Sequence, residues 1–293
     1  MAPKFYPRRH VANGRNPKVS LVVSTYNRPD ALDLCLQSIA GQTTLPNEVI
    51  IADDGSTDGT RKLIETFRVN FPIPLIHVWQ EDRGFRLAMI RNKSIATGRC
   101  EYIIEIDGDL ILHRDFVADH LHFARKGHFL KGGRVFLSRK LSENCCLSRK
   151  LPALSLFSRG ISRRPNMIRC LSLSEYLASR YQKNKFTALG CNMSFWREDF
   201  IRINGYDEFF EGWGAEDYDF ASRLTNSGIK RLSLKFSGIV YHLWHKKSFQ
   251  QNVAENRQYY LNERNRKSAR CTNGVSRYLS PDDMTRGTVN YEL

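Results

Sequence analysis

Apolar residues along the chain fall into short continuous runs, separated by stretches in which they recur every three to four positions. The first run, VSLVVS from Val19, is closed by the turn-prone Asn27-Arg28-Pro29-Asp30; Leu32, Cys35, Leu36 and Ile39 then mark one face of a helix over 31 to 40. The unit returns with a strand over 48 to 52 and a helix over 60 to 69, and again with a strand over 75 to 79 and a helix over 87 to 96. A further strand is predicted over 102 to 106. Strands buried on both faces read as unbroken apolar runs, and alternation with helices implies crossovers between parallel neighbours. The pattern therefore predicts an α/β fold with a mostly parallel central sheet flanked by helices. In such sheets ligands sit beyond the carboxyl ends of the strands.

Downstream the periodicity weakens. A helix is expected over 115 to 126 and a single strand over 129 to 137. The stretch 138 to 187, rich in Ser, Arg and Leu and interrupted by Pro152 and Pro165, reads as a mobile basic insertion or lid. Order resumes over 188 to 196. A helix from about Trp213 to Asn226, strands over 229 to 234 and 239 to 242, and a basic helix from about Phe249 complete the pattern.

At 293 residues, 41% of them hydrophobic, the chain can bury a full core and reads as a single domain. No stretch approaches the ~18 consecutive apolar residues of a membrane span, and the start MAPKFYPRRH lacks the apolar core of a secretion signal, so a cytoplasmic location is expected. Seven cysteines without paired spacing read as reduced thiols. The net charge of +15 is concentrated: residues 139 to 169 carry eight basic side chains against Glu143, and residues 246 to 270 carry seven against Glu255 and Glu263. Such a surplus suits nucleic acid, an anionic membrane surface or phosphate-bearing substrates.

Three polar sets lie just past strand ends and should meet in one crevice: Thr25-Tyr26-Asn27, Asp53-Asp54-Gly55-Ser56 and Asp107-Gly108-Asp109. Two carboxylates one residue apart at a strand terminus suit a hard cation shared with phosphates, against the plainer reading of an Asp-Gly turn. In the second set a carboxylate can accept a base N–H while Gly55 permits close approach; Ser56 or Asp58 also suits a helix cap. Gly212-Trp213-Gly214-Ala215-Glu216-Asp217 places a flat ring between glycines ahead of two adjacent acids, and Asp217 or Glu216 could act as a general base; the macrodipole alone would account for acids opening a helix. His242 and His245, at the end of an apolar strand, are candidates to complete a metal's coordination. Arg91, on a predicted helix, suits a diphosphate.

Taken together, VSLVVSTYNRPDALDLCLQSI, EVIIADDGSTDGT, the Asp-Gly-Asp after a strand and GWGAEDYDF resemble glycosyltransferase family 2, whose members have the Rossmann-like GT-A fold. The later part, with GCNMSFWREDF and NGYDE, is similar to the galactosyltransferase-like region of bacterial chondroitin polymerases. The resemblance implies an inverting, metal-dependent transferase that moves a hexose or N-acetylhexosamine from a UDP-sugar to a saccharide acceptor. It further implies a setting in bacterial cell-surface polysaccharide or lipopolysaccharide synthesis. Ser24, Thr25 and Tyr26, with Asn27 and Asp53 beside them, would line the nucleoside pocket, and Asp54 would accept from the uracil. Asp107 and Gly108 would lie near the ribose and metal, and Arg91 near the phosphates. Asp109 would hold Mn2+ or Mg2+ with His242, or with His245. Trp213 and Gly214 would meet the acceptor, Asp217 would be the base and Glu216 would orient the acceptor. Residues 1 to 17 then form an N-terminal extension, 18 to 137 a nucleotide-sugar half, 138 to 187 the insertion, 188 to 245 an acceptor-binding and catalytic half, and 246 to 293 a basic helix and tail. A lipid-linked oligosaccharide acceptor and peripheral contact with the anionic inner membrane fit the basic, Leu-rich insertion. A sugar nucleotidyltransferase and a nucleic-acid-binding protein are the competing readings. The first lacks a glycine-rich, lysine-bearing loop, and the second leaves the ordered acids unexplained.

Overall fold

The computed structural model describes residues 16–181, 186, 188–246 and 251–281. The N-terminal extension up to residue 15 and the expected helix start at Phe249 lie outside these residues. In chain order the elements are β1 (Val19–Thr25), α1 (Pro29–Ala40), β2 (Glu48–Asp53), α2 (Asp58–Arg68), β3 (Leu75–Trp79), α3 (Leu87–Thr97), β4 (Tyr102–Asp107), β5 (Leu110–Leu112) and α4 (Phe116–Phe123). There follow β6 (His128–Lys131), β7 (Val135–Leu137), α5 (Arg139–Ser148), β8 (Ile161–Ser162), α6 (Leu171–Ala178), β9 (Asn192–Trp196), α7 (Arg197–Arg202), α8 (Glu216–Asn226), β10 (Lys230–Ser233), β11 (Val240–His242) and α9 (Val253–Arg266).

The central sheet has the order β10-β6-β9-β4-β1-β2-β3, with β9 alone running against the rest. All residues of β1 and β2 are buried, as strands covered on both faces must be. Alternate β1 residues serve opposite cores. Leu21 and Val23 pack with Leu32, Leu36 and Ile39 of α1, whereas Val22 packs with Ala88 and Ile90 of α3 and shares its core with Phe220 of α8. Each Val, Leu, Ile or Phe among them contributes about 1.5–3 kcal/mol on burial. The parallel register Ser24↔Asp107 and Thr25↔Asp53 brings the ends of β4, β1 and β2 level, which places the three polar sets side by side.

Three expectations need correction. The single strand over 129 to 137 is two strands in different sheets: β6 belongs to the central sheet, and β7 to a second sheet of order β5-β11-β7-β8. The chain changes sheet at Gly132-Gly133, where the Asn192 side chain occupies the space that a Cβ on Gly132 would need and donates to the Gly133 and Gly238 carbonyls. The segment read as a loose insertion is in its described part built into the fold. α5 is capped by the Ser138 hydroxyl, which accepts from the Leu141 N–H, and Cys145 and Ile161 join a core with Ala31, Leu34, Val135 and Leu243. Its periodicity was faint because α5 buries only Ser142 and Cys145. The helix expected from Trp213 begins at Glu216, since Gly212, Gly214 and Ala215 all have positive φ and cannot continue a right-handed helix. Among the described residues no helix is long and apolar enough to cross a membrane.

Candidate active site

An open cavity of ≈ 1130 Å³ lies beyond the carboxyl ends of β1, β2 and β4 and reaches across to the start of α8 and the end of β11. One end is suited to a flat base. Tyr26 is exposed, its hydroxyl donating to Asp82 at 2.8 Å. Asp54 is buried and accepts from Gln80 Nε2 at 2.6 Å and the Arg86 N–H at 2.8 Å. Burial nevertheless pushes its carboxyl up to about 6. Ser24, Thr25 and Gly108 line the floor; the Gly108 N–H donates to the Ser24 carbonyl at 2.7 Å, and a Cβ there would lie 3.1 Å from that oxygen.

Asn27 and Asp53 do not line the cavity. The Asn27 side chain accepts the Thr57 N–H, and Asp53 accepts the Ser56 N–H with one oxygen and faces His77 Nε2 at 2.9 Å with the other. Their polar groups brace the β2–α2 loop, so they shape the base end without facing it. Arg91 also differs from a free phosphate ligand. Its guanidinium is 1% exposed and lies among Glu105 at 3.2 Å, Asp107 at 3.3 Å and Asp217 at 3.0 Å, with Nε donating to Ser24. It holds together acids that would otherwise repel one another. Glu105, fully buried and pushed up to about 8 by that burial, is steadied by the Tyr206 hydroxyl at 2.7 Å.

At the far side, Asp109, His242 and His245 bring one donor atom each to within 4.8 Å of one another. His242 Nε2 is 3.6 Å and His245 Nε2 3.4 Å from Asp109 Oδ2, while Asp109 Oδ1 is buried with no hydrogen-bond partner. A carboxylate with one oxygen beside two imidazole nitrogens and the other buried without a hydrogen-bond partner fits a divalent cation, because ligands about 2.0–2.2 Å from one ion are themselves separated by roughly 3–4 Å. Burial lowers the pKa of His242 and so favours the neutral ring that can ligate. Both histidines therefore meet the Asp-Gly-Asp turn, through the antiparallel pairing of β11 with β5 that sets His242 opposite Leu110.

The two acids that open α8 face the same cavity. Asp217 Oδ2 accepts the Gly190 N–H at 2.7 Å and Oδ1 accepts from Arg91, which leaves further lone pairs and fixes the group's direction. Glu216 is pushed up to about 7, first by burial and then by Asp217. Trp213, half-exposed at the rim, is held by its own N–H donating to the Gln251 carbonyl; the neighbouring Gly212 N–H donates to the Phe85 carbonyl and so ties this loop to the base end. Gly214 has open space where a Cβ would be.

Several lining residues escaped the sequence reading. Arg134 follows the Gly-Gly break and has a buried Nε without a partner; Arg28, Lys246 and Trp244 also line the cavity. The glycine pair before Arg134 was the available signal. The others carry none.

Residues 20–144 match the family model described as glycosyl transferase family 2, and residues 172–246 match one described as the N-terminal domain of galactosyltransferase. Validoxylamine A glucosyltransferase of Streptomyces hygroscopicus subsp. limoneus is 30% identical over 240 residues, covering 74% of this chain and 50% of that protein. Chondroitin synthase of Escherichia coli is 26% identical over 265 residues, covering 81% of this chain and 36% of that protein. The chain thus spans half or less of the length of these relatives. Among solved structures, a mannosyltransferase from Pyrobaculum calidifontis in complex with GDP-Man and Mn2+ superposes with a TM-score of 0.58 at 18% identity, covering 93% of this chain and 69% of that one. S. aureus TarS 1-349 in complex with UDP-GlcNAc gives 0.57 at 15%, covering 92% and 71%. The fold is that of the GT-A glycosyltransferases, and the chain belongs to glycosyltransferase family 2.

Proposed function

We propose that the chain transfers a hexose or N-acetylhexosamine from a UDP-sugar to a saccharide acceptor, with inversion at the anomeric carbon. The observation that carries this reading is one cavity flanked by a carboxylate–imidazole cluster on one side and by Glu216 and Asp217 on the other. Asp54 and Tyr26 take the uracil, Asp54 accepting from the ring N–H. Mn2+ or Mg2+ would be held by Asp109, His242 and His245 and would supply positive charge to the departing diphosphate. Arg134 is placed to add a second cation on the same side. Asp217, aimed by Arg91 and the Gly190 N–H, receives the acceptor hydroxyl's proton, and that oxygen attacks from the face opposite the nucleotide. A single displacement inverts. A second reading exchanges the two acids: Glu216, at about 7, has a proton affinity close to that of an effective base at neutral pH.

Leu147 and Phe157 are 85% and 93% exposed, and Leu147 also borders the cavity; Arg149, Lys150 and Arg159 are their neighbours in sequence. This supports a lipid-linked acceptor met at an anionic membrane surface, in cell-surface polysaccharide or lipopolysaccharide synthesis.

The test is nucleotide release from UDP- and GDP-sugars without acceptor, with Mn2+, with Mg2+ and with chelator. One UDP-sugar should be hydrolysed with metal only, and Asp109→Ala should lower that rate by about 10²-fold or more. Asp217→Asn should retain donor binding and lose transfer, whereas Glu216→Gln should do so if the roles are exchanged. No turnover or binding of any UDP-sugar would overturn the proposal.

A further inference from the structure

A second cavity, of ≈ 290 Å³, has four cationic side chains in its walls, Lys131, Arg163, Arg231 and Lys235, and no carboxylate among the described residues that line it. Lys131 and Ser233 are register partners at the carboxyl ends of β6 and β10. Both strands run in the same direction as β4, so this cavity opens on the edge of the sheet that carries Asp107. The two cavities adjoin. Leu189 lines both, and the next residue, Gly190, gives its N–H to Asp217.

The cations are held by a framework. Lys235 Nζ donates to Asn166 Oδ1 at 2.9 Å, and the Asn166 amide donates in turn to the Arg134 carbonyl at 2.9 Å. The Arg163 guanidinium lies over the Phe136 ring, 4.8 Å from its centre, and Arg231 is 6% exposed. Burial, and then Arg231, push Lys131 down to about 8, while Asp217 is near enough to oppose that fall. Positive charges gathered with no carboxylate among the described lining residues repel one another, and an anion entering the pocket would relieve that repulsion while accepting hydrogen bonds from Arg163 and Lys235.

We propose that this pocket receives an anionic group on the sugar acceptor, a carboxylate or a phosphate, and so directs the acceptor hydroxyl toward Asp217. The proposal rests on the glycosyl-transfer reading above and goes beyond it by naming the acceptor's chemical class. A neutral acceptor would bring no counter-charge to Arg163 and Lys235.

The experiment measures binding to the full chain by NMR titration with UDP and metal present, using matched probes: methyl β-glucuronide against methyl β-glucoside, and glucose 6-phosphate against glucose. Inorganic phosphate serves as competitor. At least one anionic sugar should bind about tenfold more tightly than its neutral counterpart, and which one does so identifies carboxylate or phosphate as the group recognised. In Arg163→Gln/Lys235→Gln, that difference should disappear while metal-stimulated donor hydrolysis stays at the parent rate, since neither residue lines the donor cavity. Arg163→Gln alone, at an exposed position, should halve the preference or more and is available if the double variant folds poorly. Equal binding of charged and neutral sugars overturns the proposal, as does a preference that survives the double variant. Displacement of the sugar phosphate by equimolar inorganic phosphate would reduce the pocket to a phosphate site and also overturn it. Failure of the glycosyl-transfer reading shows separately, as absence of donor hydrolysis.

Discussion

Single side chains in this cavity are tuned by what surrounds them. Asp54 shows the effect: two donors favour its charged form, yet burial prevails and leaves the carboxyl at about 6. Above that value the ionised group offers both oxygens as acceptors. As pH falls through it, one oxygen gains a proton and must point a donor at neighbours that are themselves donors. The donor KM is therefore expected to rise as pH falls through about 6, with kcat changing less. Asp54→Asn should raise KM at all pH values and flatten the profile; a wild-type KM that stays level from roughly pH 5 to 8 would place the base contact elsewhere. Chemical type singled out Asp109 and the two histidines before folding, and the structure brings one donor atom of each to within 4.8 Å of the others. Asn27 and Asp53 looked equivalent to their neighbours in sequence. Only direction separates them, since adjacent residues at a strand end point to opposite sides and Asp53 faces His77 rather than the cavity.

At the scale of elements, the site depends on how closely the turn before β9 approaches α3 and α8. A Cβ on Gly190 would sit 2.5 Å from both Arg91 Nη2 and Asp217 Oδ1, so the ion pair between them closes over a residue without a side chain. Gly190→Ala should push the two groups apart and lower the transfer rate by about 10²-fold, with donor KM within a few-fold of the parent. Steady-state kinetics with donor and acceptor varied separately checks this, and an unchanged kcat would show that Arg91 does not aim Asp217. Elements with strong apolar repetition, from β1 to β4, were legible to within a residue or two. The break between β6 and β7 was not, because Gly132 and Gly133 lie inside an otherwise strand-like run and the residue that forces the break, Asn192, comes far later in the chain. The start of α8 was placed too early for a related reason: the apolar and acidic pattern of 213 to 219 suits a helix, while the backbone turns left-handed at Gly212, Gly214 and Ala215.

Across the whole molecule, the C-terminal helix acts on the site from behind. The Asn256 side chain, 2% exposed, donates to the Glu211 carbonyl at 3.0 Å and the Trp213 carbonyl at 3.4 Å, and Tyr259 stacks on Phe209 with ring centres 3.8 Å apart. Asn256→Ala takes the donor from the Trp213 carbonyl and leaves the Glu211 carbonyl to Asn252, at a cost of about 1–3 kcal/mol. A lower melting temperature and a several-fold higher acceptor KM are expected, with donor hydrolysis little changed; equal acceptor KM would free the Trp213 loop from this support. The sequence by itself determined the α/β class, the crevice at the strand ends, the acid and histidine sets and the family. These depend on local apolar periodicity and on residue chemistry, both of which are readable without partners. Tertiary structure alone decided that Arg91 gathers acids, that Arg134 enters the cavity, that α5 belongs to the core and that four cations share a second pocket. Each of these depends on residues far apart in the chain meeting in space, through pairings such as β6 with β10 and β11 with β5, which no local pattern specifies.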